Sequence, residues 1–147
     1  MQARNMAEAY PVTSLDADAL EAARLMGEHR MPGLVVTDTD GRPHSVLGAS
    51  QVVRFLVPSY VQDDPALAGV IDEQFADKVA TKLSGHTVRE LLPKDRPELA
   101  VAEADDTIIE VAAVMARMRC PLVAVVDKGE ILGVVTASRL LELALPR

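Results

Sequence analysis

Thr136 and Arg139 lie three residues apart in the segment GVVTASRLL, residues 133–141, where a run of β-branched residues gives way to a helix. A hydroxyl at such a junction accepts from the first unpaired N–H groups of the helix, or touches an anion drawn to them. A guanidinium within the first turn offers only donors, in a planar fork that suits a phosphate or a carboxylate better than a sugar diol. Two roles stand open for each residue. Thr136 caps the helix or contacts a ligand, and one hydroxyl can do both. Arg139 pairs with Glu142 on the helix surface or meets an anion in a cleft.

Little else in the chain has the makings of chemistry. His29, His44 and His86 are scattered, with no metal-ligand spacing, so no metal site is expected. Cys120 lies between Arg119 and Pro121 with no base paired to it, and nucleophilic chemistry is not expected there. The acidic pairs Asp63-Asp64 and Asp105-Asp106 read as turns and helix caps. No glycine-rich phosphate loop or Ser-His-Asp arrangement is present. The chain does not read as an enzyme.

A net charge of -7 argues against nucleic acid as a partner, since binding there needs a basic face to displace counterions. It also provides no long-range attraction for phosphates, so any anion site must be built locally from helix N-termini and single arginines. With 147 residues, the chain is one domain or two small halves sharing a core. The longest apolar run, Leu122 to Val126, is far too short to span a bilayer. The start, MQARNMAEAYPVTSL, lacks the apolar core of a secretory signal, so a cytoplasmic location is expected, and the single cysteine fits it. Eleven arginines against four lysines hint at a GC-rich bacterial genome.

The elements that position these residues come from an internal repeat. Sliding the chain by 89 residues lays 12–38 over 101–127 with nine identities, among them Asp16/Asp105, Glu21/Glu110, Arg30/Arg119 and Pro32/Pro121. One deletion in the next turn shifts the offset to 88, matching Gly41/Gly129, Val46/Val134, Ala49/Ala137, Ser50/Ser138 and Pro58/Pro146. Gly48 and Gln51 then fall where Thr136 and Arg139 fall. Two copies of one unit cannot make a solenoid, so they are expected to pair.

Each copy reads as strand, helix, strand, turn, strand, helix, an α+β unit. In the second copy Leu99 to Ala102 is a short strand, and Thr107 with Glu110 forms a capping box that opens a helix through Met118. Asp18 and Glu21 are expected to do the same in the first. Ile108, Val111, Ala112, Met115 and Met118 recur at helical spacing and form a core stripe. Leu122 to Val126 and Ile131 to Val135, separated by Asp127-Lys128-Gly129, predict a hairpin, and the first copy turns through Asp40 and Gly41. A helix follows each hairpin and stops near Pro58 or Pro146.

The chain accordingly divides into repeat 1 (1–58), a helical insert (59–86) and repeat 2 (87–147). Asp64-Pro65 predicts a helix start and Gly85 its stop, with Leu67, Val70, Ile71, Phe75, Val79 and Leu83 on one side, packed on the domain or on a partner. Thr87 and Glu90 predict a capping box for a further short helix.

Twin units ending in LVAVVDKGEILGVVTASRLLELAL, with a proline entering the middle strand, resemble a tandem pair of CBS domains, the module named after cystathionine β-synthase. The resemblance covers about residues 12–58 and 87–145 and is stronger in the second copy. It implies two three-stranded sheets packed about a pseudo-twofold axis, helices outside, and two clefts between the copies. Such modules are regulatory, commonly sense ATP, ADP, AMP or S-adenosylmethionine, and often dimerise through their helices. The resemblance thus implies no required cofactor, a homodimer, and a transporter or an enzyme as the regulated partner.

The family pattern is Gly, two apolar residues, Thr or Ser, two variable residues, then an Asp that accepts from both ribose hydroxyls. Here Thr136 keeps the hydroxyl while Arg139 stands in place of the Asp, and the first copy has Gly48 and Gln51. The residues carried over as ligand contacts are Thr136, Arg139, Val135, Ser138, Pro121, Leu122 and Val101 in the second copy. In the first they are Gln51, Ser50, Gly48, Pro32, Gly33 and Val12. Loss of the carboxylate weakens a nucleoside by about ten- to a few hundred-fold, since each bond to a charged group contributes roughly 1.5–3 kcal/mol. Arg139→Asp is expected to restore affinity where the cleft is otherwise intact. Two functions follow: a ligand-sensing regulatory module, or a ligand-free association module with degenerate sites.

Overall fold

The computed structural model describes residues 1–57, 59–66, 75–94 and 99–146. The first half runs α1 (Ala3–Met6), β1 (Thr13–Ser14), α2 (Ala19–His29), β2 (Gly33–Thr37), β3 (Pro43–Gly48) and α3 (Ala49–Leu56). Two further helices follow, α4 (Ser59–Asp63) and α5 (Phe75–Leu83). The second half repeats the first: α6 (Val88–Leu91), β4 (Val101–Glu103), α7 (Ile108–Met118), β5 (Leu122–Asp127), β6 (Glu130–Thr136) and α8 (Ala137–Ala144). Each half forms a three-stranded sheet in which the first strand is parallel and the last antiparallel to the middle one.

Local signals account for most of the element ends. At α7, Thr107 Oγ1 accepts from the Glu110 N–H and Glu110 Oε1 accepts from the Thr107 N–H, the expected capping box. At α2 the Asp18 carboxylate accepts from the Leu20 N–H at 3.0 Å, but Glu21 does not complete a box. At α6 the Thr87 side chain makes no cap bond, correcting the expectation, because Glu90 turns to His86 instead. Lys128 (φ 54°) and Gly129 (φ 84°) are both left-handed, so the second hairpin closes through a two-residue turn whose twist matches its strands. In the first hairpin Asp38 Oδ1 accepts from the Asp40 and Arg42 N–H groups while Gly41 takes the positive φ.

The middle strands are buried on both faces, and their alternation distributes them between three cores. Leu34 and Val36 of β2 face α2 and α3, whereas Val123 and Val125 of β5 lie in the second core beside α7 and α8. Their alternate neighbours, Val35 on one strand and Leu122 and Ala124 on the other, join Val134 in a third cluster between the sheets. Gly33 and Leu122 are equivalent positions that meet there. A Cβ on Gly33 would stand 3.4 Å from Leu122 Cδ2 and 2.9 Å from the Leu47 carbonyl, so glycine admits the leucine of the other half.

The short helix that precedes each repeat packs on the other one. Ala3 and Arg4 donate backbone bonds to Asp106 and Ala104, and Val88 and Arg89 donate to Ala17 and Leu15, the same positions 89 residues earlier. Ala3 and Met6 are fully buried in the second core, and Val88 and Leu91 are buried in the first. The arm continues along the second sheet, where Glu8 and Val134 exchange both backbone hydrogen bonds at 2.9 Å.

Between the repeats, a short helix ends at Asp63, and of the single helix expected from Pro65 to Ser84 the described residues show α5, Phe75–Leu83. The part from 67 to 74 lies outside the described residues. Leu67, Val70, Ile71 and the side chain of Phe75 lie outside the described residues, as does Pro58. The end of α5 behaves as expected. Leu83 is 1 % exposed in the first core with Val79 packed against it, and Gly85 (φ 82°) stops the helix. The first strand of the second sheet starts at Val101 rather than Leu99. Among the described residues, no helix is long and apolar enough to cross a membrane.

Candidate functional site

Two left-handed arginines shape the meeting of the halves. Arg30 and Arg119 end α2 and α7 with φ 51° each, which turns the chain sharply into β2 and β5. The prolines that follow also act as acceptors. The Pro32 carbonyl accepts the Ala49 N–H at 3.0 Å, and the Pro121 carbonyl accepts the Ala137 N–H at 2.8 Å. Each thereby satisfies the first orphan donor of the helix behind its own hairpin.

One cleft, of about 240 Å³, opens between the repeats. Val46, Gly48, Ser50 and Gln51 form one wall at the β3–α3 junction. Leu99, Ala100 and the run Met118-Arg119-Cys120-Pro121 form the other. The size lies just below the roughly 300–1,000 Å³ of small-molecule pockets, enough for a nucleoside with its charged end in solvent. The Gly48 N–H donates to Gln51 Oε1 at 2.8 Å, so this side chain caps its own helix. Arg119, with an exposed side chain, is the cationic group on this lining.

The pseudo-equivalent position in the second repeat is arranged differently. Thr136 is buried and its Oγ1 accepts from the Arg139 N–H at 3.2 Å, with the Ser138 hydroxyl also at 3.2 Å. The Arg139 guanidinium donates from Nη1 to Glu142 at 3.0 Å. Its Nε stands 3.7 Å from Glu8 Oε1, within ion-pair range but beyond a hydrogen bond, and that buried Nε–H has no hydrogen-bond acceptor. A carboxylate of the chain itself thus faces the arginine.

The remaining carried-over residues are dispersed. Val135 lies wholly in the second core, and Leu122 lies in the cluster between the sheets, so neither side chain reaches open space. Gly33 is buried beside Leu122, and Val101 pairs with Ala124 in the sheet. Val12 lines a separate groove of about 750 Å³ between the two hairpin turns. Sequence reasoning did not assign Glu8 or the Leu99, Ala100 and Arg119 wall to a site. The repeat offset carried a signal for that wall, because it makes Arg119 the counterpart of Arg30 at a helix end. Among the described residues, no group of three or more His, Cys, Asp and Glu could hold a metal ion.

Paired α+β repeats with exchanged arms and a cleft at their junction define a tandem-repeat module. The chain belongs to the CBS-domain family, whose model, described as CBS domain, matches residues 4–58 and 88–145. It is 64 % identical to a CBS domain-containing protein of unknown function from Kribbella flavida DSM 17836, with 99 % of each chain covered and a TM-score of 0.89. The CBS domain pair of protein MJ0100, solved in complex with 5-methylthioadenosine and S-adenosyl-L-methionine, is 19 % identical, with coverages of 97 % and 94 % and a TM-score of 0.64. CBSX2, solved in complex with AMP, is 15 % identical, with coverages of 97 % and 95 % and a TM-score of 0.67. No curated protein matches the chain.

Proposed function

We propose that this chain is a regulatory module that takes an adenosine-containing ligand in the cleft between Gln51 and Arg119 and passes its occupancy to a partner protein. The observation that carries the reading is the cleft itself, whose two walls come from different repeats. A ligand held there touches both halves and favours one relative placement of them, which is the physical requirement for a sensor. Apolar Val46 and Met118 suit a base, Gln51 both donates and accepts toward a ribose, and Arg119 suits a phosphate. The adenosine-type ligands of MJ0100 and CBSX2 support the choice of ligand class. The regulated partner is a transporter or an enzyme, and the setting is the bacterial cytoplasm.

The test is a thermal shift with AMP, ADP, ATP and S-adenosylmethionine, joined to alkylation of Cys120, which lines the same cleft. Ligand at a hundred times its Kd adds about 2.7 kcal/mol, a rise of roughly 5–10 °C for a chain of this size. Binding in this cleft also slows alkylation of Cys120. No shift and no protection with millimolar ligand overturns the reading.

A second reading, an association module, draws on twin apolar grooves. One lies among Ala23, Met26, Ala49 and Val53, and the other among Ala112, Met115, Ala137 and Leu141, equivalent positions in the two repeats. Both readings place a homodimer on these helices. A monomer in sedimentation at tens of micromolar removes the association reading and leaves the ligand test unaffected.

A further inference from the structure

We propose that Glu8 is an internal, displaceable partner of Arg139: its carboxylate stands where an external anion would meet the guanidinium, so anion binding there loosens the N-terminal arm. The inference goes beyond the ligand reading of the first cleft and does not rest on it.

Three observations support it. Arg139 is held by two carboxylates, but unequally: Glu142 takes Nη1 in a hydrogen bond, whereas Glu8 approaches Nε only to 3.7 Å. The buried Nε–H is left without an acceptor, an unusual and costly state for a polar group out of water. A compact anion with two or three oxygens can supply that bond, which Glu8, fixed by its backbone, does not.

The third observation explains why displacement has a readout. Glu8 is no free surface carboxylate, because its own N–H and carbonyl are paired with Val134. Gly133 next to that pair has no room for a side chain, as a Cβ would stand 2.6 Å from the Glu8 carbonyl oxygen. Upstream, Arg4 and Ala3 are tied to Ala104 and Asp106. An anion that takes Nε from Glu8 therefore removes the side-chain tie of a segment that is otherwise held by these backbone pairs and by buried Ala3 and Met6. Ligand class and effect are linked: a phosphate or similar small oxyanion binds, and the arm loosens.

The experiment uses the full chain and residue-resolved amide exchange in inorganic phosphate against sodium chloride at matched ionic strength. Phosphate is expected to speed exchange of the Arg4 and Glu8 amides. Without phosphate, Glu8→Gln raises exchange of the same amides by about two- to fivefold, the range for a half-exposed ion pair. Glu8→Gln also binds phosphate more tightly than the wild type in calorimetry. Arg139→Gln loses the phosphate response. Equal exchange in the two salts, or a response that survives Arg139→Gln, overturns the proposal. Glu8→Gln alters a side chain at the surface and leaves both cores intact, so the test stands even where Arg139→Gln folds poorly. Cys120 lines the first cleft and the groove beside Ala137 and Leu141, neither of which has Glu8 or Arg139 in its lining, so its protection by AMP is read separately from the phosphate response.

Discussion

Gln51 and Gly48 close on each other: the Gly48 N–H donates to Gln51 Oε1 at 2.8 Å across the start of α3. Under the proposed function the Gln51 amide faces the ribose, and since it is engaged with the backbone a ligand must either share Oε1 or rely on the amide donors. Gln51→Asp places a carboxylate at this junction. AMP is then expected to bind about ten- to a hundredfold more tightly by calorimetry, from one or two charge-assisted bonds to the ribose hydroxyls. An unchanged affinity would mean that the ribose lies elsewhere.

Gly133→Ala tests the seating of the N-terminal arm from the sheet side. The new methyl would meet the Glu8 carbonyl oxygen at 2.6 Å and its carbon at 3.1 Å, backbone atoms that cannot rotate aside. A cost of about 1–3 kcal/mol is expected, lowering Tm by roughly 2–10 °C, with faster exchange of the Ala3 and Arg4 amides. A variant with wild-type Tm and an undisturbed arm would contradict the close approach.

Leu83→Ala asks whether the segment between the repeats belongs to the fold. Leu83 is fully buried among Val88, Leu91 and Met26 of the first core. Truncation is expected to cost about 2–5 kcal/mol in urea unfolding, the range for a buried leucine. A loss below about 1 kcal/mol would assign this helix end to the surface.

Acid acts on the start of α7. Hydrogen bonds from the Thr107 backbone and side chain hold the Glu110 carboxyl below its ordinary value of 4.5. Its contribution is therefore fully present above the unfolded value and is lost as pH falls through the lower folded one. Glu110→Gln keeps an acceptor for the Thr107 N–H but does not titrate. Wild-type Tm is expected to exceed that of the variant near neutrality, with the gap closing below about pH 4.5. A gap that persists into strong acid would place the effect outside this carboxyl.

How much of this was legible in the sequence depended on the range of each interaction. Thr107-Glu110, Lys128-Gly129 and Arg139-Glu142 are pairs within three residues, and each declared itself by spacing. The repeat exposed the paired sheets, because Leu34 and Val36 reappear as Val123 and Val125 with the same alternation. Glu8 stands 131 positions before Arg139, in a stretch with no periodicity of its own, so nothing local linked them. The arm was similarly hidden, although Ala3-Arg4 and Val88-Arg89 repeat a small motif at an offset of 85. For the inserted helix the stop signal at Gly85 was local and is seen at the end of α5, while most of its expected first half lies outside the described residues. The contact also changes the meaning of Arg139→Asp, the substitution that the family pattern invites. It would set a new carboxylate against Glu8, so part of its effect would be repulsion of the arm rather than ribose recognition.

The exchanged arms bear on how the protein is made. Residues 3 to 6 leave the ribosome roughly a hundred residues ahead of Ala104 and Asp106, their backbone partners. At about 5–20 residues per second that interval is roughly 5–20 s, during which Ala3 and Met6 have no second core to enter. The first repeat waits as well, since Val88 and Leu91 must emerge before its core is closed. Nascent chains stalled before residue 88 should therefore contain no protease-resistant half, and the two sheets should become resistant in sequence, with the arm of residues 3 to 6, made before either sheet, the last to be secured.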